Sequence, residues 1–206
     1  LSRGLGDVYK RQPGQGSQSV GMGRTLYDSF DASRAVFDEV DEALGEKLSA
    51  LIFEGPEDRL TLTENAQPAL MAVSMAAIRA LEAEGFSVET AAYVAGHSLG
   101  EYSALAAVGA LSIGQTAKLL RIRGNAMQEA VPAGEGAMAA ILGLDDAAVE
   151  QACADAAQGA VVAAVNYNAP GQVVIAGNKP AVDRAVALGQ EAGAKRALPL
   201  PVSVPS

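Results

Sequence analysis

Tryptophan is absent from the chain, and only four Phe and five Tyr are present. So sparse an aromatic set does not make a surface for stacking bases. Basic residues are also short: 15 Lys and Arg stand against 24 Asp and Glu, a formal charge of -9. Such a field repels phosphates and argues against nucleic acid, although one local arginine can still hold an anionic substrate. There is a single cysteine, Cys153. An internal disulfide is therefore excluded, a reducing compartment is expected, and Cys153 in its Ala-rich helical stretch reads as a buried structural thiol. One histidine and no cysteine cluster leave a structural zinc site without ligands. No apolar run is long enough to span a bilayer, and no signal peptide opens the sequence.

What is present is a 206-residue chain that is 50% hydrophobic, rich in Ala, Val and Leu. That is one domain's worth of length and enough apolar material for a core. The composition is that of a helix-rich α/β protein. Both ends read oddly. An α/β domain of this kind opens with a buried apolar strand, whereas residues 1–12 carry two Gly and four charges. They are expected to be a non-native leader. The last residues, 199–206, alternate like a strand stopped in mid-element, so the chain is expected to be a fragment at both ends.

Apolar spacing predicts a helix over 26–45 ending at Gly45, a short helical or irregular piece at 46–53, and a polar, turn-rich stretch at 54–66 punctuated by Gly55-Pro56. The longest clean helix is expected over 67–84, with Pro68 near its start. Ala91, Ala92, Tyr93, Val94 and Ala95 form a continuous apolar run, expected as a central strand. Helices follow at 99–109 and 113–130, then a linker at 132–136. Beyond it the pattern predicts strand 137–142, a helix over 145–157 capped by Asp145, strands 161–166 and 172–176, helix 179–192 and strand 195–202. That order, β-α-β-β-α-β, is the split βαβ plait, inserted into a larger α/β domain.

Gly96-His97-Ser98-Leu99-Gly100 matches the G-x-S-x-G nucleophile elbow. An apolar strand would deliver the chain to a tight turn and a helix would leave it. The two glycines leave room for the turn, and Ser98 stands clear. The N–H of Leu99, in the first turn of the helix, has no helical acceptor and can face a developing oxyanion. His97 is a poor base for Ser98, because neighbouring side chains on an extended segment point apart. A working serine–histidine pair therefore needs a histidine other than His97, expected beyond Ser206.

Other residues stay open on spacing alone. The loop at 14–18 fits neither a dinucleotide fingerprint nor a P-loop; it is either a second wall of an acyl pocket, reached through Gln15, or a plain turn. Arg121 and Arg123 are two apart and point to different faces, so at most one enters a pocket, and a surface role competes for each. An enzyme acting on a carboxylated acyl group would use such a guanidinium. Residues 166–172 read as a turn between two strands.

Taken together, residues 13–18 (PGQGSQ), 67–70 (QPAL), 96–105 (GHSLGEYSAL), 121–127 (RIRGNAM), 166–177 (NYNAPGQVVIAG) and the tail at 195–206 resemble the malonyl-CoA:acyl carrier protein transacylases, the bacterial fatty-acid synthesis branch of the acyltransferases. The resemblance runs from about residue 13 to the last residue, and residues 166–177 favour a free-standing enzyme over a polyketide synthase module. It implies a larger α/β-hydrolase-like domain with a parallel sheet, incomplete here, over 13–132, a ferredoxin-like subdomain over 133–203 and a return to the large domain at 204–206. It also implies Ser98 as the nucleophile that becomes malonylated, Gln15 and Leu99 as oxyanion donors, and Arg123 as the clamp on the malonyl carboxylate. Gln67, Met127 and Asn168 would line the pocket. The family's base histidine would follow Ser206, so the fragment is expected to be inactive. No metal or redox cofactor is implied. Malonyl-CoA and acidic acyl carrier protein are the expected partners, the latter through a local basic patch, for a cytoplasmic monomer. A serine esterase or thioesterase, an acyltransferase for methylmalonyl or acetyl, and a non-catalytic assembly domain are the rivals.

Overall fold

The structure is a computed structural model, and it describes residues 16–131 and 134–200. The chain divides into two compact units, Leu1–Asn125 and Ala126–Ser206.

The first unit is helical. Its elements are α1 (Arg24–Ser29), α2 (Asp31–Leu44), α3 (Leu48–Glu54), α4 (Glu57–Thr61), α5 (Thr63–Ala83), α6 (Leu99–Ala107) and the greater part of α7 (Ile113–Ala130). On α2, Val36, Phe37 and Val40 share one face and are all buried. They meet Leu48 and Ile52 of α3, Leu60 of α4, Met71 and Met75 of α5, Leu99 of α6 and Leu120 of α7 in one core. Tyr27 and Phe53 pack against it, Tyr27 edge-on to both Phe37 and Phe53 and the two Phe rings tilted, with ring centroids 5.1–5.7 Å apart. Ala66, Ala69, Ala72 and Ala76 keep α5 slim at the centre, and the buried Ser33 hydroxyl donates to the Ala76 carbonyl at 2.8 Å, tying α2 to α5.

Three expectations change here. The helix expected over 26–45 is two helices, broken at Phe30, whose extended backbone (φ -129°, ψ 119°) ends α1 and lets its carbonyl accept from Ser33 and Arg34 to open α2. Gly45 does end α2, in the left-handed conformation (φ 68°) that glycine adopts at no steric cost. The long helix begins at Thr63, so Pro68 lies inside it. The Leu62 carbonyl accepts from both Asn65 and Ala66, which forms a full turn ahead of the proline. Third, residues 91–95 are not a strand. The run has the composition of one, but a strand exists only as a hydrogen-bonded pair, and no described residue forms a ladder with it. It is exposed throughout, with Tyr93 93% accessible.

The second unit holds one sheet: β1 (Gly136–Leu142), β2 (Val162–Ala169), β3 (Gln172–Asn178) and β4 (Arg196–Pro199), in the spatial order β2-β3-β1-β4 with every pair antiparallel. Helices α8 (Asp146–Ala157) and α9 (Lys179–Glu191) complete the order β-α-β-β-α-β. Ala139 and Ile141 of β1 and Val173 and Ile175 of β3 pack with Val149 and Cys153 of α8 and Val182 of α9. The alternate residues Met138, Val174 and Ala176 cluster together on the other face. Asp145 caps α8, accepting from the Ala148 N–H at 2.9 Å.

Residues 166–172 are not all turn. β2 continues to Ala169, pairing Tyr167 with Val173 and Ala169 with Gln172, with two register irregularities, and only Pro170 and Gly171 turn. Asn166 and Asn168 are thus strand residues. The expected leader at 1–12, and residues 201–206 of the expected last strand and return, lie outside the described residues. No described helix is long and apolar enough to cross a membrane.

Candidate active site

Ser98 sits between the irregular segment 91–97 and α6, with φ 54° and ψ -119°. Positive φ is uncommon for a residue with a Cβ, and it places Ser98 outside even the left-handed helical well. Ser98 and Gln158 are the two non-glycine residues with positive φ among those described, and Gln158 (φ 45°, ψ 40°) is an ordinary helix end. The strain thus falls on the residue with a hydroxyl in the elbow motif.

Gly96 makes the turn possible. A Cβ there would lie 1.9 Å from the Gly100 carbonyl oxygen and 2.4 Å from the Glu101 nitrogen, so no side chain fits. The turn closes through Gly100 N–H to the His97 carbonyl (2.9 Å) and Glu101 N–H to the Ser98 carbonyl (3.2 Å). The Leu99 side chain is buried in the core and anchors the first turn of α6, while among the described residues its N–H donates to no acceptor. That donor stands at the positive end of a helix. Ser98 and His97 are both exposed.

Arg123 reaches the serine from α7. Its Nη2 donates to Ser98 Oγ at 3.1 Å and its Nη1 donates to Gln67 Oε1 of α5. The guanidinium carbon lies 6.0 Å from the centre of the Tyr102 ring, one turn along α6 from Ser98. Gln67 is fully buried. Arg123 forms no ion pair among the described residues, whereas Arg121 is paired with Glu46. Among the described residues the arginine beside Ser98 thus has no counter-charge, and the two arginines that spacing left open divide as one beside Ser98 and one away from it.

Of the residues expected in the site, the structure brings together Ser98, Leu99, Arg123 and Gln67. Gln15 lies outside the described residues. Met127, one turn beyond Arg123 on α7 and half-buried, and Asn168, exposed near the end of β2, belong to the second unit. Tyr102 and Gly124 were not singled out from sequence as site residues. Tyr102 was legible as the residue four after Ser98 on the same helix. Gly124 packs directly on the backbone of α5, where a Cβ would lie 2.5 Å from Glu64 Cα, a contact that no local pattern announces. Cys153 is buried, and burial, followed by the nearby Glu150, pushes its thiol up from 9.0. Among the described residues no cluster of His, Cys, Asp and Glu could hold a metal ion.

An α/β chain with a serine in this elbow and a cation on its hydroxyl falls among the serine acyltransfer proteins. More particularly, it belongs to the acyl transferase domain family, which matches residues 12–204. It is 53% identical over 194 residues to the malonyl CoA-acyl carrier protein transacylase of Bacillus subtilis, covering 94% of this chain and 60% of that protein. It also resembles the crystal structure of an acyl carrier protein S-malonyltransferase from Vibrio cholerae (56% identity, TM-score 0.86, 94% of this chain and 63% of that one). A type II PKS acyl-carrier protein in complex with its malonyl-transacylase is a further match (50% identity, TM-score 0.88, 94% of this chain and 62% of that one). The chain spans about 60% of the length of the curated relatives it matches.

Proposed function

We propose that this chain supplies the nucleophile and the acyl-recognition residues of a transacylase that moves malonyl from malonyl-CoA to acyl carrier protein. The observation that carries the reading is the guanidinium of Arg123, 3.1 Å from Ser98 Oγ and without an ion-pair partner among the described residues. A carboxylate is the natural third partner for a fork already held by Gln67 and the face of Tyr102. Malonyl carries one at the far end of its acyl group, and acetyl does not.

The reaction is a double displacement. Ser98 Oγ attacks the thioester carbonyl and gives its proton to a general base, expected to be a histidine other than His97. The oxyanion is held by the Leu99 N–H, with Gln15 as the second donor. The intermediate collapses, the carbon–sulfur bond breaks, and coenzyme A leaves with the proton returned by the base. A malonyl ester remains on Ser98. The pantetheine thiol of the carrier protein then loses its proton to the base and attacks the ester, and Oγ takes the proton back as it leaves. Arg123 holds the carboxylate through both halves, while Met127 and Asn168 contribute to the pocket. The scheme needs no metal or redox cofactor. It assigns 13–132 to a larger domain with a parallel sheet and 133–203 to the small ferredoxin-like subdomain. A cytoplasmic monomer acting in fatty-acid synthesis fits this chemistry.

The test is intact-mass spectrometry of the protein, expressed from the whole reading frame that contains this sequence, after mixing with malonyl-CoA. A malonyl adduct that disappears in Ser98→Ala and passes to carrier protein supports the proposal. Hydrolysis of malonyl-CoA without transfer would identify a thioesterase instead. An acetyl adduct in place of malonyl would remove the role given to Arg123.

A further inference from the structure

Helix α7 crosses α5 at Gly124, where a Cβ would lie 2.5 Å from Glu64 Cα and 2.9 Å from both Glu64 N and the Thr63 carbonyl oxygen. The two backbones touch. A contact through a bare glycine is close but smooth, and nothing in it stops α7 from rolling about its own axis. The roll matters, because Arg123 is the next residue along.

Two arginines flank the crossing. Arg121 and Arg123 are two residues apart, hence about 200° apart around α7. Each reaches a different flank of α5. Arg121 Nη1 donates to Asn65 Oδ1 at 2.5 Å, and Arg123 Nη1 donates to Gln67 Oε1. Asn65 and Gln67 are themselves two residues apart, so the start of α5 runs between the two guanidinium groups. The remaining amino group of each makes the difference. Arg123 turns its Nη2 to Ser98, and Arg121 pairs its Nη2 with Glu46, in the connection between α2 and α3.

The partners of Arg121 are held in turn. Asn65 is 5% exposed, and its Nδ2 donates to the Arg59 carbonyl at 2.8 Å. The Glu46 N–H donates to the Asp41 carbonyl at 3.2 Å. The buried Asp41 side chain accepts from the Ser49 N–H (2.9 Å) and hydroxyl (2.6 Å), with Lys47 Nζ at 3.4 Å. Further up α7, the Gly114 N–H donates to Glu39 of α2 at 2.8 Å. Arg121 is therefore a bridge among three fixed elements.

We propose that Arg121 is a positioning residue for acyl selection. By straddling α5 together with Arg123, it fixes the roll of α7 at the glycine crossing and so holds the Arg123 guanidinium on Ser98. Its own charge is spent on Glu46, so it does not compete for a substrate carboxylate. The inference rests on the reading of Arg123 as the carboxylate clamp.

The test compares Arg121→Ala, Arg121→Lys and Asn65→Ala in the protein expressed from the whole reading frame. The first readout needs no substrate. It is the solvent exchange of the Arg123 Nη protons, which donate to Gln67 and Ser98, followed by NMR in the free protein and assigned by their loss in Arg123→Lys. Exchange should be about tenfold faster in Arg121→Ala and Asn65→Ala, because a group released from its partners exchanges through the open form. The second readout is the ratio of malonyl to acetyl loaded on Ser98, which should fall about tenfold in Arg121→Ala. Arg121→Lys should recover only part of it, since one ammonium cannot span Asn65 and Glu46 as the planar fork does. Should Arg121→Ala fail to fold, Asn65→Ala, which removes one acceptor, and Glu46→Ala, which removes the other, carry both readouts. Unchanged Arg123 exchange and an unchanged ratio, with only the melting temperature lowered, would reduce Arg121 to a structural ion pair and overturn the proposal. A wild-type protein that takes no malonyl would overturn the proposed function instead, and the exchange measurement would still decide the positioning.

Discussion

The Arg123 guanidinium meets the Ser98 hydroxyl at 3.1 Å, joining the middle of one helix to the first residue before another, 25 positions apart in sequence. No local pattern brings them together; the crossing of α7 over α5 does. Removing the guanidinium should be selective. A hydrogen bond to a charged group contributes about 1.5–3 kcal/mol, so Arg123→Ala should lower kcat/KM for malonyl-CoA by roughly 10- to 100-fold. Acetyl-CoA, with no carboxylate, should be affected far less. Competition between the two thioesters in one reaction measures the ratio directly, and an equal loss for both would place the arginine's effect on the nucleophile rather than on the acyl group.

The strain at Ser98 makes a stability prediction of opposite sign to the activity. At φ 54° and ψ -119° a Cβ is costly, and such a conformation stores about 1–3 kcal/mol. Ser98→Gly should abolish acylation and still raise the unfolding free energy, by about 1 kcal/mol relative to Ser98→Ala. Ser98→Ala keeps the strained Cβ and serves as the control that isolates backbone relief from loss of the Arg123 hydrogen bond. Urea unfolding of the two variants decides it. Equal midpoints would mean that the turn is not strained.

The elements of the second unit were legible in the sequence because each carries a local signal: short apolar runs in β1 and β3, helical spacing in α8 and α9, and Asp145 at the cap. The elbow was legible because its tight turn excludes a Cβ at Gly96, a demand met within five residues of sequence; no such demand falls on Gly100. The misreadings share another cause. Residues 91–95 have strand composition but no described partner, and pairing is not a local property. Phe30 breaks a helix by its backbone conformation, with no proline or glycine to mark it. Pro68 suggested a helix start because proline prefers the first turn, yet Thr63 begins the helix five residues earlier. In the site, Arg123 was recognisable only with the family resemblance beside it. Spacing said that at most one of the two arginines enters, and burial and pairing decide which.

Gly124 should tolerate no side chain. A Cβ would stand 2.5 Å from backbone atoms of Glu64, and backbone cannot swing aside as a side-chain tip can. Gly124→Ala should cost about 1–3 kcal/mol of stability, the usual range for overpacking. It should also displace Arg123, the adjacent residue, so malonyl loading should fall by more than the lost stability explains. Gly100→Ala is the contrast: nothing lies within 4 Å of a Cβ there, so its cost should be about 0.5 kcal/mol or less, as for an unobstructed surface change. Denaturant curves for the two variants compare the sites directly.

Cys153 gives a prediction in which burial and titration act in one direction. Burial first, and the charge of Glu150 second, disfavour the thiolate and push the thiol up from 9.0. Thiol reagents attack the thiolate. At neutral pH the folded protein should therefore label at least about tenfold more slowly than the urea-unfolded chain. The sign for stability follows from linkage. The folded pKa is raised above the unfolded one, so the contribution is fully present below the unfolded value and is lost as pH rises through the folded value. Stability should decline on the alkaline side of about pH 9, and Cys153→Ala should flatten that decline. Glu150→Gln should flatten it only in part, because burial is the larger cause and remains. Urea midpoints measured across that alkaline range test the point; a decline equally steep in Cys153→Ala would assign it to other groups.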